Sequence, residues 1–128
     1  MEFITKEPSK GDIIKVLISN NIYHYGIYLG DDQVIEYGSA KDFIKTNKED
    51  VKVQISSMDS FLDGKNVLVA KLGLIEKMKR NSVNKTIELA KSRLGETKYD
   101  AIENNCEHFV YECVFNKHYS SQVEAYKK

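Results

Sequence analysis

A chain of 128 residues has the length of one domain, and residues 1–128 read as a single one with a core of ordinary size. Nineteen Lys and Arg balance nineteen Asp and Glu, which excludes a dedicated nucleic-acid binder, and 41% hydrophobic residues with 10% aromatics exclude a disordered tail. The segment MEFITKEPSKGD is not a signal peptide, no apolar run approaches the ~18 residues of a bilayer span, and two cysteines make neither a disulfide scaffold nor a zinc site. The expectation is therefore a cytoplasmic protein with no transmembrane anchor, cofactor or metal.

Pro8 to Asp12 read as a turn leading into a first strand over residues 13–18, which are rich in β-branched side chains. Asn20-Asn21 is a turn, and residues 22–29 form a second strand. A break at Gly30-Asp31-Asp32 precedes a third strand at 33–37, so these two make a β-hairpin. Residues 51–55 alternate apolar and polar as a half-buried strand does, and residues 66–72 supply another strand after Asp63-Gly64. Past residue 80 the period changes. Val83, Ile87, Ala90 and Leu94 share a helix face, with Ser82 as N-cap and Gly95 as terminator. Cys106, Phe109, Val110, Cys113 and Val114 mark a second helix behind Asn104-Asn105. Strands first and helices last predict an α+β fold, an antiparallel sheet packed against C-terminal helices.

Cys106 is placed in the first turn of its helix, where unpaired N–H groups and the helix dipole favour an anion, so it is a candidate nucleophile. The alternative is a small buried core residue. Cys113 lies seven residues further along the helix, roughly 10 Å away. That is too far for a disulfide and beyond the dipole's reach, so it reads as core. Of three histidines, His108 points some 200° round the helix from Cys106 and suits a capping or bridging role. His118 reads as surface. His24 lies in the densest strand run, as a candidate base or as a hydrogen-bonded core histidine. A three-residue turn at 30–32 sets His24 opposite Gly38 and makes Glu36 its diagonal neighbour; a two-residue turn would send Glu36 to the other face. Glu36 is thus a candidate partner for His24, or a solvated carboxylate. Lys77, Lys79, Arg80 and Lys85 are basic enough to touch anionic headgroups, though a solvated loop and helix start is the better account of them.

Asn105-Cys106-Glu107-His108-Phe109 resembles the NCEHF signature of the lecithin:retinol acyltransferase-like proteins, and His24-Tyr25-Gly26-Ile27-Tyr28-Leu29-Gly30 resembles their histidine box. Gly11-Asp12, the segment from Leu94-Gly95 through Tyr99 to Asn104, and Ser121-Gln122-Val123 also fit, so the resemblance spans nearly the whole chain. It implies a circularly permuted papain-like fold related to the NlpC-type peptidases. It also implies thiol acyl transfer, with Cys106 as nucleophile forming a thioester and His24 as its base. Two departures stand out. Glu36 occupies the place of the family's usual second histidine, where a carboxylate can orient an imidazole. The membrane helix of the mammalian relatives has no counterpart here, which leaves peripheral membrane contact at most. The expected partner is an acyl-bearing small molecule or lipid. The competing readings are an NlpC-like amidase or peptidase and a non-catalytic interaction protein, as among the viral H-box/NC relatives.

Overall fold

The computed structural model describes residues 1–44 and 48–127. Its strands are β1 (Glu2–Ile4), β2 (Ile13–Ser19), β3 (Ile22–Gly30), β4 (Gln33–Tyr37), β5 (Val53–Ser57) and β6 (Leu68–Lys71). They make one antiparallel sheet in the order β1-β6-β2-β3-β4-β5. The helices are α1 (Met58–Leu62), α2 (Leu74–Lys79), α3 (Val83–Ser92), α4 (Cys106–Phe115) and α5 (Ser121–Lys127). With helices mostly C-terminal to the strands, the fold is α+β as the order of patterns predicts.

The β3–β4 hairpin differs from expectation in a way that bears on the site. Its turn has two residues, Asp31 and Asp32, both at positive φ (51° and 57°). That is the backbone which matches the twist of adjoining strands, and Asp tolerates it better than most side chains do. A two-residue turn alone would have inverted the register. The strand compensates with a bulge: Tyr28 pairs with Val34, but Gly30 pairs with Gln33, so β3 holds one extra residue at Leu29. Beyond the bulge Ile27 faces Ile35 and Gly26 faces Glu36. This is the register expected from a longer turn, reached by a different route.

Each face of the sheet is covered. Ile14, Val16, Val34 and Val69 pack with Phe61 of α1 on one side. On the other, Ile13, Tyr25, Ile27, Ile35 and Tyr37 pack with Ala90 of α3 and with Phe109, Val110 and Val114 of α4. Gly26 admits the first layer closely, since a Cβ there would lie 2.7 Å from Val34 and 2.9 Å from Phe61.

Two boundaries need correction. The fourth predicted strand begins at Val53, not at Val51; Val51 and Val53 are buried while Ile55 is 40% exposed, so the alternation is not that of a uniformly covered strand. β5 is the sheet's edge, and its first residue gains a partner beyond it. The Val53 N–H donates to the Glu96 carbonyl at 3.1 Å, and the Gly95 N–H donates to the Val53 carbonyl at 2.9 Å. Serving that edge, at φ +87° for Gly95, requires α3 to stop at Ser92. Leu94 therefore lies outside the helix and is 44% exposed rather than part of its apolar stripe.

Candidate active site

The hairpin register makes His24 and Glu36 diagonal neighbours, and His24 Nε2 lies 2.7 Å from Glu36 Oε1. Both are buried, at 3% and 1% exposure. A buried carboxylate needs every lone pair answered. The second oxygen of Glu36 accepts from the Ser56 hydroxyl in a short contact and from Gln54 Nε2 at 3.2 Å, both on β5. Phe61 of α1 packs against the imidazole, with ring centroids 5.3 Å apart. The ring is thus fixed at one nitrogen and along one face.

With Nε2 committed to Glu36, Nδ1 is the ring nitrogen left for a second partner. Cys106 lies close enough to the ring for thiol and imidazole to act on one another. Burial by itself would lower the His24 pKa. The hydrogen bonds to Cys106 and then to Glu36, with the charges of both, outweigh burial and raise it from 6.5 to about 10. Imidazolium is therefore the favoured form of His24 at neutral pH.

Cys106 is the first residue of α4, as the sequence pattern predicts, and is 6% exposed. The helix start is held reciprocally. Asn105 Oδ1 accepts from the N–H groups of Glu107 (2.9 Å) and His108 (3.0 Å), and the Asn105 N–H donates to His108 Nδ1 at 3.0 Å. His108 is accordingly a capping residue turned away from the thiol, stacked on His118 with centroids 4.1 Å apart. His118 is half exposed, and its Nδ1 lies 2.6 Å from Glu112. Cys113 sits in the core, where burial pushes its thiol up to about 12.

His24 and Cys106 open on one cleft of about 810 Å³. Its walls are mostly aromatic and aliphatic, with Tyr23, Tyr25, Tyr37, Tyr99, Ile22 and Tyr126 among them. Such a lining suits an apolar chain. α5 forms one side through Ser121, Gln122 and Val123. Glu107, next to the thiol in sequence but 1% exposed, holds that helix. Its carboxylate accepts from the Ser120 hydroxyl (2.8 Å), the Ser121 hydroxyl (2.7 Å) and the Gln122 N–H (3.2 Å). Gln122 in turn accepts from the Tyr23 N–H at 2.7 Å.

Ser56, Gln54 and Glu107 are parts of the site that sequence patterns do not single out. A serine and a glutamine on an edge strand look like ordinary exposed positions. For Glu107, a signal was present in its place within the NCEHF pentapeptide. Among the described residues no group of three or more His, Cys, Asp or Glu is arranged to hold a metal ion. None of the described helices is long and apolar enough to cross a membrane.

Residues 6–119 match the family described as lecithin retinol acyltransferase. Over 136 aligned positions the chain is 29% identical to lecithin retinol acyltransferase of Rattus norvegicus and of Mus musculus, and 28% identical to that of Homo sapiens. Those alignments take in 91% of this chain but only 58–59% of the relatives, so the chain spans little more than half their length.

Proposed function

Because the chain belongs to the lecithin retinol acyltransferase family, we propose that it is a thiol acyltransferase or hydrolase that carries its acyl group on Cys106. The observation supporting this reading is that His24 and Cys106 line one cleft, with buried His24 2.7 Å from buried Glu36. In the first step the Cys106 thiolate attacks an ester or thioester carbonyl. The first N–H of α4 has no acceptor within its own helix, and in this reading it donates to the oxyanion. His24, already imidazolium, gives its proton to the departing alkoxide or thiolate as the carbonyl–leaving-group bond breaks. That leaves a Cys106 thioester and a neutral imidazole. In the second step His24 takes a proton from water, an alcohol or an amine as that nucleophile attacks the thioester. Collapse then releases the acid, ester or amide and regenerates thiolate and imidazolium. Glu36 holds the ring through both steps and stabilises its charged form.

The donor in this reading is an acyl ester, lipid or thioester whose chain lies along the aromatic wall. The relatives' names point to lecithin as one such donor. Intact-mass analysis after mixing with activated acyl esters, phosphatidylcholine micelles or peptide amides tests the proposal. A single acyl adduct on Cys106 that decays with added water or amine is the expected result. An enzyme that cleaves the peptide alone is instead an amidase, and absence of any adduct at Cys106 with all donors rejects the thioester route.

A further inference from the structure

Lys15 stands on the wall of the same cleft in surroundings that the acyl chemistry does not call for. It lies on β2 opposite Tyr25. Its Nζ is 3.9 Å from the centroid of the Tyr23 ring, 4.0 Å from that of Phe3 and 5.8 Å from that of Tyr25. Three rings from β1 and β3 therefore surround one ammonium. They stabilise its charge through their faces but accept none of its N–H groups as an oxygen would.

Among the described residues, no oxygen engages this ammonium by hydrogen bond or ion pair, yet Nζ is not sealed from solvent. Glu107 acts on Lys15 electrostatically. Its oxygens are committed to Ser120, Ser121 and the Gln122 N–H. On another part of the cleft wall, Lys48 donates to the Asp42 carbonyl at 2.8 Å. Lys15 is thus a positioned and partly dehydrated cation with unspent donors. A site of this kind gains more from an incoming anion than a free surface lysine does, because the ammonium has already given up much of its water and side-chain freedom.

Its place relative to the thiol gives the cation a use. Tyr25 carries the electrostatic influence of both Cys106 and Glu107, and Lys15 sits over the same ring. The cation and the thiol line one cleft, with Tyr25 on the same wall. We propose that Lys15 is a specificity residue that binds a phosphate or carboxylate group of the acyl donor while the donor's carbonyl meets Cys106. The juxtaposition that carries this is an oxygen-free, ring-caged ammonium and a nucleophile candidate on one cleft. The proposal rests on the Cys106 reading above.

The test uses three butyryl thioesters that differ in the leaving thiol: mercaptoethanol, mercaptopropionate and mercaptoethyl phosphate. The two charged donors separate carboxylate from phosphate recognition. Wild type is expected to show a KM about 10- to 100-fold lower for one or both charged donors than for the neutral one, the range of a hydrogen bond to a charged group. Lys15→Met should erase that difference with kcat on the neutral donor unchanged, and Lys15→Arg should restore most of it. Equal KM values for all three donors in wild type, or equal losses on all three in Lys15→Met, overturn the proposal and leave a structural lysine. Calorimetric titration with mercaptoethyl phosphate and mercaptopropionate themselves needs no turnover. Lys15-dependent binding there supports the anion site even if Cys106 forms no adduct, and absence of binding with active Cys106 rejects the anion site alone.

Discussion

Glu36 is paired in the sheet with Gly26, yet its carboxylate is bonded to His24, two residues back along β3 and 2.7 Å away. The glycine serves the layer beside this pair, since a Cβ at Gly26 would meet Val34 and Phe61. The other oxygen of Glu36 is taken by Ser56 and Gln54. A carboxylate so held presents a fixed charge to the ring, where a second histidine would present a dipole.

Glu36→Ala removes both the acceptor and the charge, whereas Glu36→Gln keeps an acceptor. Single-turnover acylation should slow by about 10- to 1,000-fold in Glu36→Ala, less than the ~10⁴ of a serine triad because a thiol ionises more easily than a hydroxyl. Glu36→Gln should fall between that variant and wild type. If Glu36→Ala acylates within about threefold of wild type, another group orients the histidine.

His24 should titrate far above an ordinary histidine, because its pKa is raised to about 10 by Cys106 and Glu36 against the cost of burial. Imidazole NMR signals followed from pH 6 to 11 (about the accessible window) read this directly. Cys106→Ala and Glu36→Gln should each move the midpoint down. The linked effect on stability has a definite sign. A histidine raised in the folded state contributes fully below its unfolded pKa of about 6.5 and loses that contribution as pH rises through about 10. Urea midpoints should decline over that interval, and less steeply in Glu36→Gln. A His24 midpoint near 6.5 in wild type would show that the relay does not hold a proton.

Ser56→Ala deletes one anchor of the buried carboxylate and leaves Gln54 in place. The expected loss of stability is about 1–3 kcal/mol, measured by urea denaturation. Acylation should slow as well, though less than in Glu36→Ala, since the charge remains while its direction loosens. Full activity in Ser56→Ala would mean that Gln54 alone positions Glu36.

Glu107→Gln keeps the shape of the side chain but weakens three charge-assisted hydrogen bonds to the start of α5. The fold should lose about 2 kcal/mol. Amide exchange should rise in 121–127 before it rises in the sheet. Exchange that rises uniformly over the chain would place Glu107 in the global core rather than at the joint between α4 and α5.

The two strands of the hairpin, the apolar stripe of α4 and the cap at Asn105 are legible in the amino-acid sequence, because each depends on residues a few positions apart. The twelve-residue interval from His24 to Glu36 belongs with them, but only as a parity: it says that the two share a face if the turn and any bulge together contribute an odd residue. That odd residue is supplied by Leu29 in a bulge, and only the folded sheet decides between a bulge and a longer turn. The short helices α1, α2 and α5 lie below the length at which a periodic pattern can be recognised, and they form through caps and tertiary packing instead. The residues that complete the site lie beyond local rules altogether. Ser56 reaches Glu36 across 20 positions, Ser120 reaches Glu107 across 13, and Gln122 reaches Tyr23 across 99. The sequence by itself determined which side chains are candidates for chemistry and which backbone elements carry them. Tertiary structure alone decided which oxygen meets which nitrogen, since that depends on strand register, sheet twist and the docking of helices from distant parts of the chain.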